Sequence, residues 1–215
     1  MTATLHLTHQ CLSHQGTGAL LGAPTYFVRF AGCSVLRCPI RKDCDEPDAL
    51  RVQNGFEASP QKVVDNALDA VGVGGWIHIT GGEPTDQPEA LGHLVQLARR
   101  ARLRTQLQTA GLTRIETPVD WISVSPKTAA NGLQQRAGEE LILVYEDQDI
   151  EEILAYSNET AFTHYYIQPK WVAQPSWPKG EAINNRKTVE MALRLNAKGS
   201  PWHLTLQAHK YLGVY

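Results

Sequence analysis

The sequence predicts an α/β fold, a partial, open β/α barrel of about six mostly parallel strands. Two observations predict it. Short runs rich in aromatic and β-branched residues alternate along the chain with segments whose apolar residues recur at helical spacing. That alternation is the mark of βαβ units and a parallel sheet. Several of the strand-like runs also end in compact polar loops, where folds of this kind carry their chemistry. A doubly wound sheet satisfies the same periodicity, which does not by itself give the connectivity.

The elements follow in order. Thr25–Phe30 (TYFVRF) reads as the first strand. Ser59 and Pro60 form an N-cap and first-turn pair. Val63, Val64, Ala67, Leu68 and Val71 then repeat at helical spacing until Gly72, Gly74 and Gly75 stop the helix. Trp76–Thr80 (WIHIT) is the second strand, and Pro88 to Ala101 a helix with Leu91, Leu94, Val95 and Ala98 on one face. Thr105–Thr109, Trp121–Val124 and Glu140–Tyr145 are three further strands. A helix near Ile150–Tyr156 follows, then a strand at His164–Gln168. Asn185–Asn196 is helical on the spacing of Val189, Ala192, Leu193 and Leu195, and Trp202–Gln207 closes the series.

Composition sets limits on this scheme. The 215 residues suit a single domain spanning 1–215. A hydrophobic fraction of 42% is enough for a real core. The 20 Lys and Arg against 22 Asp and Glu give a formal net charge of −2. No excess of positive charge points to a nucleic-acid or membrane partner. Arg99, Arg100, Arg102 and Arg104 form a local cluster that reads as a solvated helix end. No apolar run approaches the roughly 20 residues of a membrane span, and MTATLHLTHQ has no features of a secretory signal. A cytoplasmic location is expected. Thiols there stay reduced, so clustered cysteines point to metal or catalysis before disulfides.

Cys33, Cys38 and Cys44 lie in one loop, FAGCSVLRCPIRKDCDEP, directly after the first strand, with the spacing C-x4-C-x5-C. Three thiolates on one short loop suit a soft metal centre. With three local ligands, one iron of a [4Fe-4S] cube stays open to an exogenous ligand. A Cys3His zinc site completed by His14 or His78 explains the cysteines equally well. Ile79-Thr80-Gly81-Gly82-Glu83-Pro84 ends the second strand. Its paired glycines let backbone approach a ligand closely, and Glu83 is placed to reach a cationic amine. Ser123-Val124-Ser125-Pro126-Lys127 and Tyr166-Ile167-Gln168-Pro169-Lys170 end two further strands, and each alone reads as turn chemistry.

Together these segments resemble the radical S-adenosylmethionine (SAM) superfamily, and within it the 7-carboxy-7-deazaguanine synthase family. Residues 12–18, LSHQGTG, are similar to that family's S-x-Q-G-E-G loop. Residues 22–33, GAPTYFVRFAGC, resemble its G-x-P-x-x-F-V-R-L-x-G-C, and ITGGEP, VSPK and the ending WHLTLQAHKYLG also match. The resemblance implies a lyase that contracts the ring of 6-carboxy-5,6,7,8-tetrahydropterin to 7-carboxy-7-deazaguanine with loss of ammonia, in the queuosine and 7-deazaguanine pathway. It implies a [4Fe-4S] cluster on Cys33, Cys38 and Cys44. SAM would be held by Gly82, Glu83, Ser125, Pro126, Lys127 and Gln168, and the pterin by His14, Gln15, Gly16, Arg29, Thr80 and Tyr215. Arg29 suits a carboxylate, since a guanidinium fork binds one in two places. A homodimer and an electron donor such as flavodoxin are further implications.

The sequence departs from the family pattern at the cluster loop, where C-x3-C-x2-C is usual. The family's Mg2+ ligand is a Thr two positions after the last Cys. Glu46 stands there, a harder and stronger oxygen ligand. Thr17 replaces the Glu of the early loop, and Tyr215 stands where some members end in Pro. Two other functions fit parts of the chain: a glycyl-radical activase, which would not need Arg29 or the LQAHKYLG ending, and a zinc-stabilised binding module without activity.

Overall fold

The computed structural model describes residues 3–173 and 180–214. Its centre is one nine-stranded sheet in the order β11-β8-β7-β6-β5-β4-β2-β1-β3. The strands are β1 (Leu5–His14), β2 (Pro24–Phe30), β3 (Phe56–Ala58), β4 (Trp76–Gly81), β5 (Arg104–Thr109), β6 (Trp121–Val124), β7 (Ala137–Tyr145), β8 (Ala161–Pro169) and β11 (Trp202–Leu204). From β2 to β11 every neighbouring pair is parallel. This is the open, unclosed barrel that the alternation predicts. β9 (Trp171–Ala173) and β10 (Gly180–Ala182) form a separate antiparallel pair.

Two strands extend the sheet antiparallel beyond β2, and the sequence reading did not contain them. β1 pairs with β2, and β3 pairs with β1. β1 is hard to read because its register shifts between Leu7 and His9. Such an irregularity reverses the in–out alternation partway along a strand. Leu5 and Leu7 are fully buried, whereas Leu12 is exposed.

The helices cover one face of the sheet in two apolar clusters. α1 (Pro60–Val71) and α2 (Pro88–Arg100) place Val63, Ala67, Leu91 and Leu94 against Val28, Phe30, Ile77 and Ile79. α3 (Ile150–Glu159) and α4 (Asn185–Ala197) place Ile153, Met191 and Leu195 against Leu141, Leu143 and Ile167. Ser59 caps α1 by accepting from the Lys62 N–H at 3.1 Å. Asp149 and Glu152 form a reciprocal capping box on α3. In α4 the phase differs from the sequence expectation. Thr188, Met191 and Leu195 are buried, whereas Val189 and Leu193 are exposed. Asn184 sets that phase: it accepts from the Lys170 N–H and donates to the Tyr145 carbonyl, and its own carbonyl accepts from Thr188. The buried Thr188 is therefore satisfied by the helix cap, and Val189 and Leu193 turn outward.

The opposite face of the sheet is polar. Strand alternation puts Phe27 and Arg29 of β2, His78 and Thr80 of β4, Gln106 and Gln108 of β5, and Glu140 of β7 on it. Because side chains alternate, each strand can hold an apolar core on one side and polar chemistry on the other. The early loop after β1 folds over this polar face.

Candidate active site

The polar face and the loops at the strand C-termini enclose one cavity. It is bordered by Gln15, Arg29, the three thiols of Cys33, Cys38 and Cys44, Glu46, Thr80, Gly82, Glu83, Ser125, Lys127 and Gln168. Segments more than a hundred residues apart in sequence therefore meet at one point.

The cluster loop is built on the glycine-rich turn. Glu83 N–H donates to the Gly32 carbonyl at 2.9 Å, and Gly82 N–H to the Phe30 carbonyl at 3.0 Å. A Cβ at Gly82 would lie 1.9 Å from the Gly32 oxygen and 2.4 Å from that of Ala49. Gly81, at φ 145°, would place one 2.3 Å from the Phe30 oxygen. The paired glycines therefore let two backbone segments pack together, a use beyond the close approach of a ligand. Arg41 holds the loop from within by donating to the Val35 carbonyl at 3.2 Å.

Glu83 is buried and heavily bonded. Its Oε1 accepts from the Thr85 N–H and from the hydroxyls of Thr85 and Thr109, and its Oε2 from the Ala110 N–H at 2.8 Å. Four donors lock the carboxylate at the cavity wall, so a cation meeting it finds a fixed charge. Lys127 bonds the Ser125 hydroxyl at 2.7 Å and its carbonyl at 3.0 Å. Burial lowers the Lys127 pKa, against the pull of Cys38, Asp45, Cys44 and Glu83.

Three acidic residues flank Cys44, and each is tied to a different part of the chain. Asp43 pairs with Lys170 at 3.0 Å, Glu46 with Arg29 at 3.0 Å, and Asp45 with Lys210. Burial opposes charge on Asp45, but Lys210, assisted by Gln207, overcomes it and holds the carboxyl down to about 2. Glu46 is shifted the other way: burial raises it more than Arg29 lowers it. Burial also raises the Cys33 and Cys44 thiols.

The arrangement has relatives along its whole length. A 7-carboxy-7-deazaguanine synthase from Burkholderia multivorans is 30% identical over 215 residues, 93% of this chain and 94% of the relative. One from Synechocystis is 28% identical over 218 residues, covering all of this chain and 95% of the relative. The chain belongs to the 7-carboxy-7-deazaguanine synthase family. The crystal structure of QueE from Escherichia coli superposes with a TM-score of 0.64 at 19% identity, covering 96% of this chain and 95% of that one. A radical SAM methyltransferase from Sphaerobacter thermophilus has the same fold at a TM-score of 0.54 and 16% identity, over 86% of this chain and 66% of that one. No family model matches the chain.

The synthase family is a radical SAM family that uses a [4Fe-4S] cluster, SAM and Mg2+. The donor set here fits a cluster. Three thiols border one cavity from separate points of the loop. Three thiolates on one cavity leave one iron of a [4Fe-4S] cube open to an exogenous ligand. The histidines considered for zinc are otherwise placed. Both ring nitrogens of His78 are hydrogen-bonded to glutamines, and His14 is exposed outside the cavity wall.

The remaining predicted residues divide by position. Gln15, Arg29, Thr80, Gly82, Glu83, Ser125, Lys127 and Gln168 border the cavity with the cysteines and Glu46. Gly16 lies directly under the His209 ring, which a Cβ would strike at 1.8 Å. Pro126 borders an adjoining pocket with Lys127, Leu143 and Tyr156. Tyr215 lies outside the described residues. The sequence reading did not assign Gln108, Lys170 or Gln207, all of which border the cavity. For Gln108 a signal existed: His78 and Thr80 on one strand, and Gln106 and Gln108 on the next, put polar groups at alternate positions.

Proposed function

We propose that this chain is the radical SAM lyase of its family, converting 6-carboxy-5,6,7,8-tetrahydropterin to 7-carboxy-7-deazaguanine with loss of ammonia, in the queuosine and 7-deazaguanine pathway. The observation that carries the reading is the convergence of the cysteine loop, the GGEP turn, the VSPK turn and Arg29 on one cavity, in a chain related to synthases end to end. When bound, a reduced [4Fe-4S] cluster would supply the one-electron cleavage of SAM that starts radical chemistry. The protein's share is positioning and exclusion of side reactions.

Cys33, Cys38 and Cys44 would hold the cluster. Glu83 offers its fixed carboxylate to the SAM amino group, while Lys127 offers a cation to the SAM carboxylate. Ser125 orients Lys127, and Gly82, Pro126 and Gln168 complete the SAM site. Arg29 takes the pterin carboxylate, with Thr80, Gln15 and Gly16 around the ring; His14 and Tyr215 were the other residues expected there. Glu46, beside Arg29 at 3.0 Å, is the Mg2+ ligand in this reading. Residues 1–215 form one radical SAM core domain. The working protein is a cytoplasmic homodimer that takes its electron from a donor such as flavodoxin. No helix of the described residues is long and apolar enough to cross a membrane.

Anaerobic incubation with SAM, a reductant and the carboxytetrahydropterin tests this directly. Formation of 7-carboxy-7-deazaguanine is expected. A colourless protein carrying zinc would overturn the reading. So would formation of 5′-deoxyadenosine without the deazaguanine, which would favour an activase.

A further inference from the structure

A chain of hydrogen bonds runs under the cavity, and its direction is determined by a single backbone group. The Gly16 N–H donates to Gln15 Oε1 at 2.8 Å, which fixes the Gln15 amide. The Gln15 NH2 must then donate both its hydrogens, to Gln106 Oε1 at 2.7 Å and to His78 Nδ1 at 3.1 Å. Since Nδ1 accepts, the neutral imidazole carries its proton on Nε2. That N–H donates to Gln108 Oε1 at 3.1 Å. The other branch obeys the same rule, for the Gln106 NH2 donates to Glu140 Oε1 at 3.2 Å, and Glu140 Oε2 accepts from the Ala19 N–H at 2.9 Å.

One group is left over. The Gln108 NH2 has no protein acceptor among the described residues, and Gln108 borders the cavity. Its place is informative. Arg29 is in register with Thr80, and Ile79 with Leu107, so Gln108 is one step further along the same row. Arg29, Thr80 and Gln108 thus form a row across β2, β4 and β5. Two strand spacings separate its ends, about 10 Å, which is close to the span of a carboxylated bicyclic ring.

We propose that Gln108 is a substrate-binding residue whose amide donates to a ring carbonyl or unprotonated ring nitrogen at the pyrimidinone end of the pterin, and that His78 is the positioning residue that turns this donor toward the cavity. The proposal rests on the pterin reading above, with Arg29 on the carboxylate at the opposite end of the row. His78 acts through both glutamines: its Nδ1 holds the early loop through Gln15, and its Nε2–H selects the orientation of Gln108. A protonated imidazole would break the pattern, because Nδ1 would then face the Gln15 NH2 as a second donor.

The test is calorimetric binding of the carboxytetrahydropterin to the anaerobic holoenzyme, followed by steady-state kinetics. Gln108→Glu replaces the donor by an acceptor in the same volume. His78→Asn keeps an acceptor near Gln15 and removes the Nε2 donor. Each variant is expected to weaken pterin binding and raise its KM about tenfold or more, with iron content and SAM affinity unchanged. A purely structural role would instead lower iron content and SAM affinity together, and that result would overturn the proposal. Wild-type pterin affinity in Gln108→Glu would also overturn it. The 15N spectrum of the histidine-labelled holoenzyme gives a second reading, and a proton on Nδ1 of His78 would refute the direction of the chain. A wild-type enzyme that binds no pterin would count against the functional reading, while the imidazole spectrum would still decide the direction.

Discussion

Arg29 is placed so that one residue can serve two carboxylates. Its guanidinium holds Glu46 at 3.0 Å and still has donors for a ligand. Arg29→Lys keeps the charge and loses the fork. It is expected to raise the KM for the pterin by about 10-fold to 100-fold, on the order of 1.4–3 kcal/mol, with the KM for SAM unmoved. Each of Cys33→Ala, Cys38→Ala and Cys44→Ala is expected to abolish stable cluster binding, measured as iron and sulfide per chain after anaerobic reconstitution. His78 makes a different prediction. Burial, with the Arg29 and His209 charges, lowers its pKa from 6.5 to about 4, against the bonds to the glutamines. The folded pKa lies below the unfolded one, so the unfolded chain takes the proton first on acidification. The contribution is fully present above about pH 6.5 and is lost as the pH falls toward 4. It amounts to about 3 kcal/mol. Urea unfolding of wild type against His78→Asn across that interval is expected to show a steeper loss in wild type; parallel curves would refute it.

The glycine turn makes its prediction at the scale of elements. A Cβ at Gly82 meets two backbone oxygens, neither of which can rotate away. Gly82→Ala is therefore expected to push the cluster loop off the end of β4. Lower iron content and a lower Tm should appear together. A Tm within about 1 °C of wild type with full iron content would show that the contact yields. Much at this scale is legible in the sequence. Ser59 and Pro60 announce α1, the glycines at 72, 74 and 75 end it, and aromatic and β-branched runs announce β2 and β4. What escapes reading has identifiable causes. The irregularity at Leu7 and His9 interrupts the alternation of β1. Asn184 turns α4 so that its Leu193 faces outward. At the site, cysteine spacing leaves iron–sulfur and zinc equally open, because spacing carries no information about where His14 and His78 point. Nothing in the sequence pairs Asp43 and Asp45 with Lys170 and Lys210, more than a hundred residues away, until the fold brings them together.

The whole molecule is drawn together around the cavity by its loops more than by its sheet. An open sheet leaves β3 and β11 at opposite edges, yet the loop between β1 and β2 meets the segment after β11. The Ala208 N–H, at the start of α5 (Ala208–Leu212), donates to the Gly16 carbonyl at 2.8 Å. Gly18 N–H donates to the Thr205 hydroxyl at 3.0 Å, and Thr17 donates to Gln168 at 2.7 Å. Lys210 and Gln207 then reach Asp45, beside Cys44. The C-terminal segment thus closes on both the early loop and the cluster loop. Such a contact couples parts of the chain that the sheet alone leaves independent, and coupling is measurable. Breaking a largely buried ion pair leaves one charge uncompensated, whereas removing both partners does not. Asp45→Asn and Lys210→Met are each expected to destabilise the protein, while the double variant loses less than their sum, with an interaction energy on the order of 1–3 kcal/mol. Because Asp45 adjoins Cys44, both single variants should also release iron to a chelator faster than wild type. Additive stabilities with wild-type iron release would mean that the ending is held by its other contacts, and that the cluster loop keeps its shape without it.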